Sequence, residues 1–256
     1  MVYYPAFRLK SEKGQTFLYY LWPFSKKEYF KATLLLKNNN LKKGFTPTDK
    51  YKRLFPHQVH GTRILQASPD LCLPLRPEAD GVLLDRQNLN VSLNFADCFP
   101  VLLSSVYPKP WIMVIHSGYK GTIQNIAGKA AEIILSKYGK KYLERAVAWI
   151  GPGIGPCCYL RDLNDPSTIA GRHELPMEVF STALNGKTSI NIGEAIRGQL
   201  LEKGMSAGRI FMLHDCTSCN NGIYLSYRRD GTAERMSLIV RLIDDCHNST
   251  FGWENN

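Results

Sequence analysis

Two short apolar runs, VLLSSV (101–106) and WIMVIH (111–116), stand on either side of Tyr107-Pro108-Lys109-Pro110. Runs this short, bounded by turn residues, suit strands better than helices. They predict a hairpin closed at Tyr107–Pro110, with Val101 opposite His116 and Cys98 about three residues beyond Val101. A strand rises roughly 3.3 Å per residue, so a straight chain would leave about 10 Å between Cys98 and His116. A turn at Phe99-Pro100 would bend Cys98 back. The hairpin therefore carries a thiol and an imidazole to one end of a sheet.

The flanking segments predict an α+β domain. GVLLD (81–85) and LNVSLNF (89–95) read as strands, the second with Val91, Leu93 and Phe95 alternating with polar positions. Residues 1–30 supply one or two strands, and the polar stretch 36–53 reads as a surface loop. One helix is expected over TIQNIAGKAAEIILSKYG. Its apolar face is Ile123, Ile126, Ala127, Ala130, Ile133 and Ile134, and Gly139 is its stop. RAVAWI (145–150) is a strand, followed by the rigid turn GPGIGPCCY. Helices are predicted over about 174–184 and over 193–204. Strands are predicted at 209–213, 222–228 and 236–243. No linker divides the chain, so residues 1–256 are expected to form a single domain.

Seven cysteines at irregular spacing, in a 256-residue chain, point to a reducing compartment with thiols free or on metal. No apolar run is long enough to span a membrane, and no secretory signal is evident, so a cytoplasmic location is expected. The net charge of +10 suits either a solvated basic surface or an anionic partner such as phosphate. Without a zinc-finger, RRM or KH signature, no nucleic-acid partner is expected.

Cys98 and His116 together suit a thiolate nucleophile with a histidine base, or a metal site. FPHQVHGT (55–62) adds His57 and His60 as possible further ligands. Six scattered histidines are too few for a multicopper oxidase, which argues against copper. A three-ligand zinc site with an open fourth position fits better, one ion per chain. Gly118, Gly121, Thr122 and Lys120 precede the first helix and are suited to phosphate. Arg228 and Arg229 follow the strand expected at 222–228, so only one of them should reach a given site. The C-x-x-C in HDCTSC (214–219) lacks a second such pair. Cys157-Cys158 are adjacent instead and are expected to pack a tight turn.

QVHGT (58–62), EADGVLL (78–84), ADCFPVLL (96–103), IHSGYKGT (115–122), WIGPGIGPCCY (149–159), CT (216–217) and SYRRDGTAER (226–235), in this order, resemble the laccase-domain family. That family was first called multicopper polyphenol oxidase and is now described as zinc-containing purine nucleoside phosphorylases. The resemblance is strongest over 54–243. It implies a metal on His60, Cys98 and His116, and central mixed or antiparallel β-sheets covered by helices, similar to the catalytic domain of cytotoxic necrotizing factors. The chain departs from the family pattern at Phe95, at Tyr119 and Lys120 of HSGYKG, after Tyr159, and at Ala233 and Glu234. The first fifty residues lack the family's usual opening.

The resemblance implies that purine nucleosides and phosphate are the partners. The expected chemistry is phosphorolysis of adenosine, inosine, guanosine or methylthioadenosine to free base and ribose 1-phosphate, with adenosine deamination as an associated activity. Cys98, His116 and Asp97 are then the expected catalytic residues. Lys120, Arg228, Arg229, Tyr159 and Asp80 are the expected substrate and phosphate contacts. The alternatives are a peptidoglycan-editing hydrolase acting on a muropeptide precursor through Cys98 and His116, and a non-enzymatic, metal-stabilised binding module.

Overall fold

The expected hairpin lies in the middle of a six-stranded sheet. In the computed structural model, residues 6–12, 14–25, 27–37, 51–182 and 185–243 are described. Most of the loop expected over 36–53 lies outside them. The strands run β1 (Phe7–Glu12), β2 (Gln15–Tyr20), β3 (Phe30–Leu35), β4 (Lys52–Leu54), β5 (Ile64–Gln66), β6 (Gly81–Leu84), β7 (Leu89–Phe95) and β8 (Phe99–Ser105). Then come β9 (Trp111–Ser117), β10 (Val147–Ile150), β11 (Leu160–Asp162), β12 (Phe180–Thr182), β13 (Lys187–Ile190), β14 (Ile210–Met212) and β15 (Met236–Leu242). One sheet has the order β1-β2-β3-β15-β7-β4, a second β14-β10-β8-β9-β6-β5, and a small third β11-β13-β12. Both large sheets are mixed: β4 pairs β7, β5 pairs β6 and β14 pairs β10 in parallel, while the other pairs in them are antiparallel.

The second sheet is covered on both faces, which explains the unbroken apolar runs of its central strands. Leu102, Ile112, Val114 and Trp149 face the first sheet. Val101, Leu103, Met113, Ile115, Ala148 and Ile150 face the helices. Every residue of β8 and β9 is buried. β15 instead alternates buried and half-buried positions. Tyr20 donates to the Gly151 carbonyl at 2.8 Å and Trp149 Nε1 donates to the Ala6 carbonyl at 3.1 Å, so the N-terminal strands are tied to the second sheet through polar contacts.

The helical layer comprises α1 (Tyr119–Ile123), α2 (Ile126–Tyr138), α3 (Lys140–Glu144), α4 (Pro166–Glu174), α5 (Ile192–Glu202) and α6 (Tyr227–Asp230). The single helix expected over 122–139 is two. Asn125 takes φ +61° and its side chain accepts the Gly128 N–H, so it caps α2 and breaks it from α1. Gly139, at φ +96°, ends α2 as expected. The helix expected at 174–184 is not formed: α4 ends at Glu174 before Leu175-Pro176, and Phe180–Thr182 pairs with β13. The strand expected at 222–228 is a turn followed by α6, because Ser226 accepts the Arg229 N–H and caps a helix there. Among the described residues no helix is long and apolar enough to cross a membrane.

Candidate metal centre

The site forms where β7, β8 and β9 meet the 55–62 turn. β8 and β9 pair one residue out of the expected register: Pro100, not Val101, lies opposite His116. This shortens the reach to Cys98. Asp97 supplies the bend with φ +82°, a conformation an aspartate tolerates better than most residues. Gly118 lets the sulfur in, since a Cβ there would lie 2.6 Å from Cys98 Sγ and 3.4 Å from His60 Cδ2. His60 itself sits at φ +59°.

The ligand atoms of His60, Cys98 and His116 all lie within 4.8 Å of one another. The His60 and His116 rings meet edge-on with centroids 4.8 Å apart. His116 is buried, Cys98 half-buried and His60 exposed, so the group opens on one side. His57 forms a β-bridge with Glu78 instead of joining the group. Phe95, fully buried, backs His116 with ring centroids 5.5 Å apart.

Asp80 organises two of the three ligands. Its Oδ1 lies 2.8 Å from His116 Nδ1 and accepts the His60 N–H at 2.9 Å. Its Oδ2 accepts the N–H groups of Gly61 at 2.7 Å and Val59 at 3.2 Å. Burial alone would raise its pKa, but the His116 bond and the backbone bonds outweigh burial and lower it. Asp80 is fully buried and its oxygens are taken. Asp80, expected as a substrate contact, lines neither of the two clefts that adjoin the group.

Electrostatics favour a thiolate at Cys98. Burial would raise its pKa, yet the neighbouring His116 charge and hydrogen bonds from His116 and His60 bring it down to about 6. Burial would lower His116, while Cys98 and Asp80 raise it to about 9. Two imidazoles and a thiolate, with a carboxylate behind one imidazole, form a donor set suited to zinc with one position open. The residues present fit such an ion.

Two clefts adjoin the group, of about 480 and 550 Å³. Both are lined by His60, Asp97, Cys98, Ile154, Tyr159 and Tyr227. One adds Tyr119, Lys120 and Arg161, and the other adds Arg76, Arg228 and Arg235. Lys120 thus faces a cleft from the first turn of α1. Thr122, expected with it near a phosphate, is fully buried and donates to the Gly118 carbonyl. Asp97 ties loops together: it accepts from Thr217 Oγ1 at 2.7 Å and from the Arg228 N–H at 2.7 Å.

The expected Arg pair divides, through a helix and not a strand. The Arg228 guanidinium lies 5.0 Å over the Tyr159 ring and lines a cleft. Arg229 does not line it. Its guanidinium holds the carbonyls of Thr217, Ser218 and Tyr224 and the Asp230 carboxylate. Sequence reasoning missed Arg161. It stands 4.6 Å over the Tyr119 ring and bonds Asp165, and only its place two residues after Tyr159 hinted at it. Arg76 was likewise missed, for want of a spacing signal, and Arg235 was noted only as the last residue of SYRRDGTAER.

The family model for multi-copper polyphenol oxidoreductase laccase matches residues 36–242. The chain belongs to this family. It is 34% identical over 169 residues to a Geobacillus stearothermophilus protein named purine nucleoside phosphorylase YlmD, a match covering 64% of this chain and 60% of that one. It is 28% identical over 188 residues to human purine nucleoside phosphorylase LACC1, covering 72% of this chain and 41% of the human one. The crystal structure of the Bacillus licheniformis hypothetical protein YfiH superposes with a TM-score of 0.79 at 26% identity, covering 94% of this chain and 100% of that one. The crystal structure of YlmD, at 24% identity, shares the fold with a TM-score of 0.77, covering 92% of this chain and 99% of that one.

Proposed function

We propose that the chain is a zinc-dependent purine nucleoside phosphorylase, which joins phosphate to the sugar carbon of a nucleoside and releases the base. The observation that carries this reading is the junction itself. A His60/Cys98/His116 donor group stands between two clefts, each with its own cationic side chains. The names of the relatives point the same way.

Phosphorolysis needs a space for phosphate and a space for nucleoside on either side of one carbon. Arg76, Arg228 and Arg235 would hold phosphate in one cleft by charge and hydrogen bonds. Tyr119 and Tyr159, with ring centroids 5.7 Å apart, give the other cleft aromatic surface for a base, with Lys120 at its edge. Burial raises the Tyr159 pKa, so its phenol stays protonated and can donate a hydrogen bond to the departing base. Asp97 would hold the Arg228 backbone in place. Zinc bound at His60, Cys98 and His116 would supply Lewis-acid charge to a substrate oxygen or nitrogen. Asp80 would fix the His116 ring so that Nε2 faces the ion.

The same site is open to adenosine deamination, and the preferred nucleoside among adenosine, inosine, guanosine and methylthioadenosine follows from one assay. The purified protein is incubated with each nucleoside, with and without phosphate, and products are separated by chromatography. Free base and ribose 1-phosphate formed only with phosphate is the expected result. Inosine formed from adenosine regardless of phosphate would assign deamination. Unchanged nucleosides from zinc-loaded protein would overturn the reading and direct attention to muropeptides.

A further inference from the structure

Cys157 and Cys158 close the turn after β10, and Cys216 and Cys219 lie on the loop after β14. The first pair packs a turn as expected, but the C-x-x-C does not stand alone. All four sulfurs lie within 4.8 Å of one another. Cys219 Sγ is 3.5 Å from that of Cys157 and 3.4 Å from that of Cys158. The loops are aligned by a β-bridge between Gly153 and Cys216, and the Thr217 N–H donates to the Gly153 carbonyl at 3.0 Å. None of the four lines either cleft.

We propose that Cys157, Cys158, Cys216 and Cys219 bind a second metal ion, a structural zinc held by four thiolates. Zinc bound by four sulfurs at about 2.3 Å spaces them about 3.8 Å apart, close to the separations present. The local backbone suits thiolates. The Gly155 N–H donates to Cys216 Sγ at 3.2 Å. The Arg229 guanidinium, bonded to the Thr217 and Ser218 carbonyls, sets a positive charge beside a group that would be anionic with zinc bound. Cys157 and Cys219 are exposed, which gives the ion a path in.

Such an ion would clip the loop that gives the clefts Ile154 and Tyr159 to the loop that holds Asp97. Tyr159 directly follows Cys158. Thr217 lies between Cys216 and Cys219 and holds Asp97, the neighbour of Cys98. The second ion would thus keep the first site in shape, and it raises the expected stoichiometry from one zinc per chain to two, one for each donor group. Binding exchanges the thiol protons for the metal, with no change of oxidation state.

Metal analysis of the full chain, purified under reducing conditions, tests this with three proteins. Wild type should hold two zinc ions per chain, Cys98→Ser one, and Cys157→Ser/Cys219→Ser one, matching the two donor groups. Cobalt loaded into Cys98→Ser should give intense thiolate-to-cobalt charge transfer and tetrahedral ligand-field bands. The double variant, left with the single thiolate of Cys98 at the first site, should show only a minor fraction of that charge-transfer intensity and melt at lower temperature than Cys98→Ser. Metal-free Cys98→Ser without cobalt bands, its four remaining cluster thiols titrating freely or paired as disulfides, would overturn the proposal. This protein decides the matter even if the double variant fails to fold.

Discussion

Asp80 accepts from the His116 ring at 2.8 Å and from the His60 backbone at 2.9 Å through the same oxygen. One buried carboxylate therefore sets the orientation of two candidate ligands that lie far apart in the chain. Asp80→Asn keeps one acceptor oxygen but faces an amide to the N–H groups of Val59 and Gly61. Metal affinity should fall about 10–100-fold, as for other losses of a carboxylate behind a ligating histidine. Leaving those donors unpaired should cost about 1–3 kcal/mol of stability. Chelator competition and thermal melts measure the two effects separately. Unaltered metal affinity would remove Asp80 from the centre.

Gly118 is constrained by space, since its φ of −88° is open to any residue. A Cβ would stand 2.6 Å from Cys98 Sγ. Gly118→Ala must therefore push the sulfur or the α1 entry aside. The expected outcome is lost metal and lost turnover, with a stability cost of about 1–3 kcal/mol typical of overpacking. Metal content against melting temperature checks it. Full metal occupancy in the variant would show that the sulfur has room to move.

Acid sensitivity should come in part from Asp85, remote from the centre. Burial alone would raise its pKa, but the hydrogen bond and charge of Lys109 at 3.2 Å, then Lys137 and Tyr138, hold it below the ordinary value. Its folded pKa is thus below its unfolded one. The stabilisation is complete above the unfolded value of about 4 and is lost as pH falls through the folded value. Lys109 is 56% exposed, so solvent screening limits the effect to within about 1 kcal/mol. Asp85→Asn should lower stability at neutral pH and flatten its decline in acid, read from denaturant titrations across pH. An equal decline in both proteins would assign the acid limb to other groups.

Much of the centre was legible because it is local or periodic. The alternation of Val91, Leu93 and Phe95 marked β7 over the residues it occupies. The Tyr-Pro-Lys-Pro break marked the β8–β9 hairpin, one residue out of register, because turn length alone did not determine which residues pair. Side-chain capping was harder to see. Asn125 splits a helix whose apolar face runs on past it, and Ser226 starts a helix within a strand-like string. Contacts distant in sequence were invisible. Cys157 and Cys219 lie 62 positions apart, and nothing in either motif predicts that the fold brings them together. Arg229 resembled Arg228 in the sequence until the carbonyls around it were in view.

That division of the two arginines yields an opposed pair of outcomes. Arg228 reaches the cleft, and its bond to Asp97 comes from its backbone N–H, which alanine retains. Arg228→Ala should therefore leave stability nearly unchanged while raising the KM for phosphate roughly tenfold to a hundredfold, the loss of a charge-assisted contact of about 1.5–3 kcal/mol. Arg229 holds three carbonyls, and alanine removes every one of those bonds. Arg229→Ala should cost about 1.5–3 kcal/mol of stability and slacken the Thr217 loop. Any kinetic effect should then appear in kcat through Asp97, with the KM for phosphate little changed. Melts and phosphate titrations on both variants separate these roles. A raised phosphate KM in Arg229→Ala with unchanged stability would reverse them and place the anion on the far side of α6.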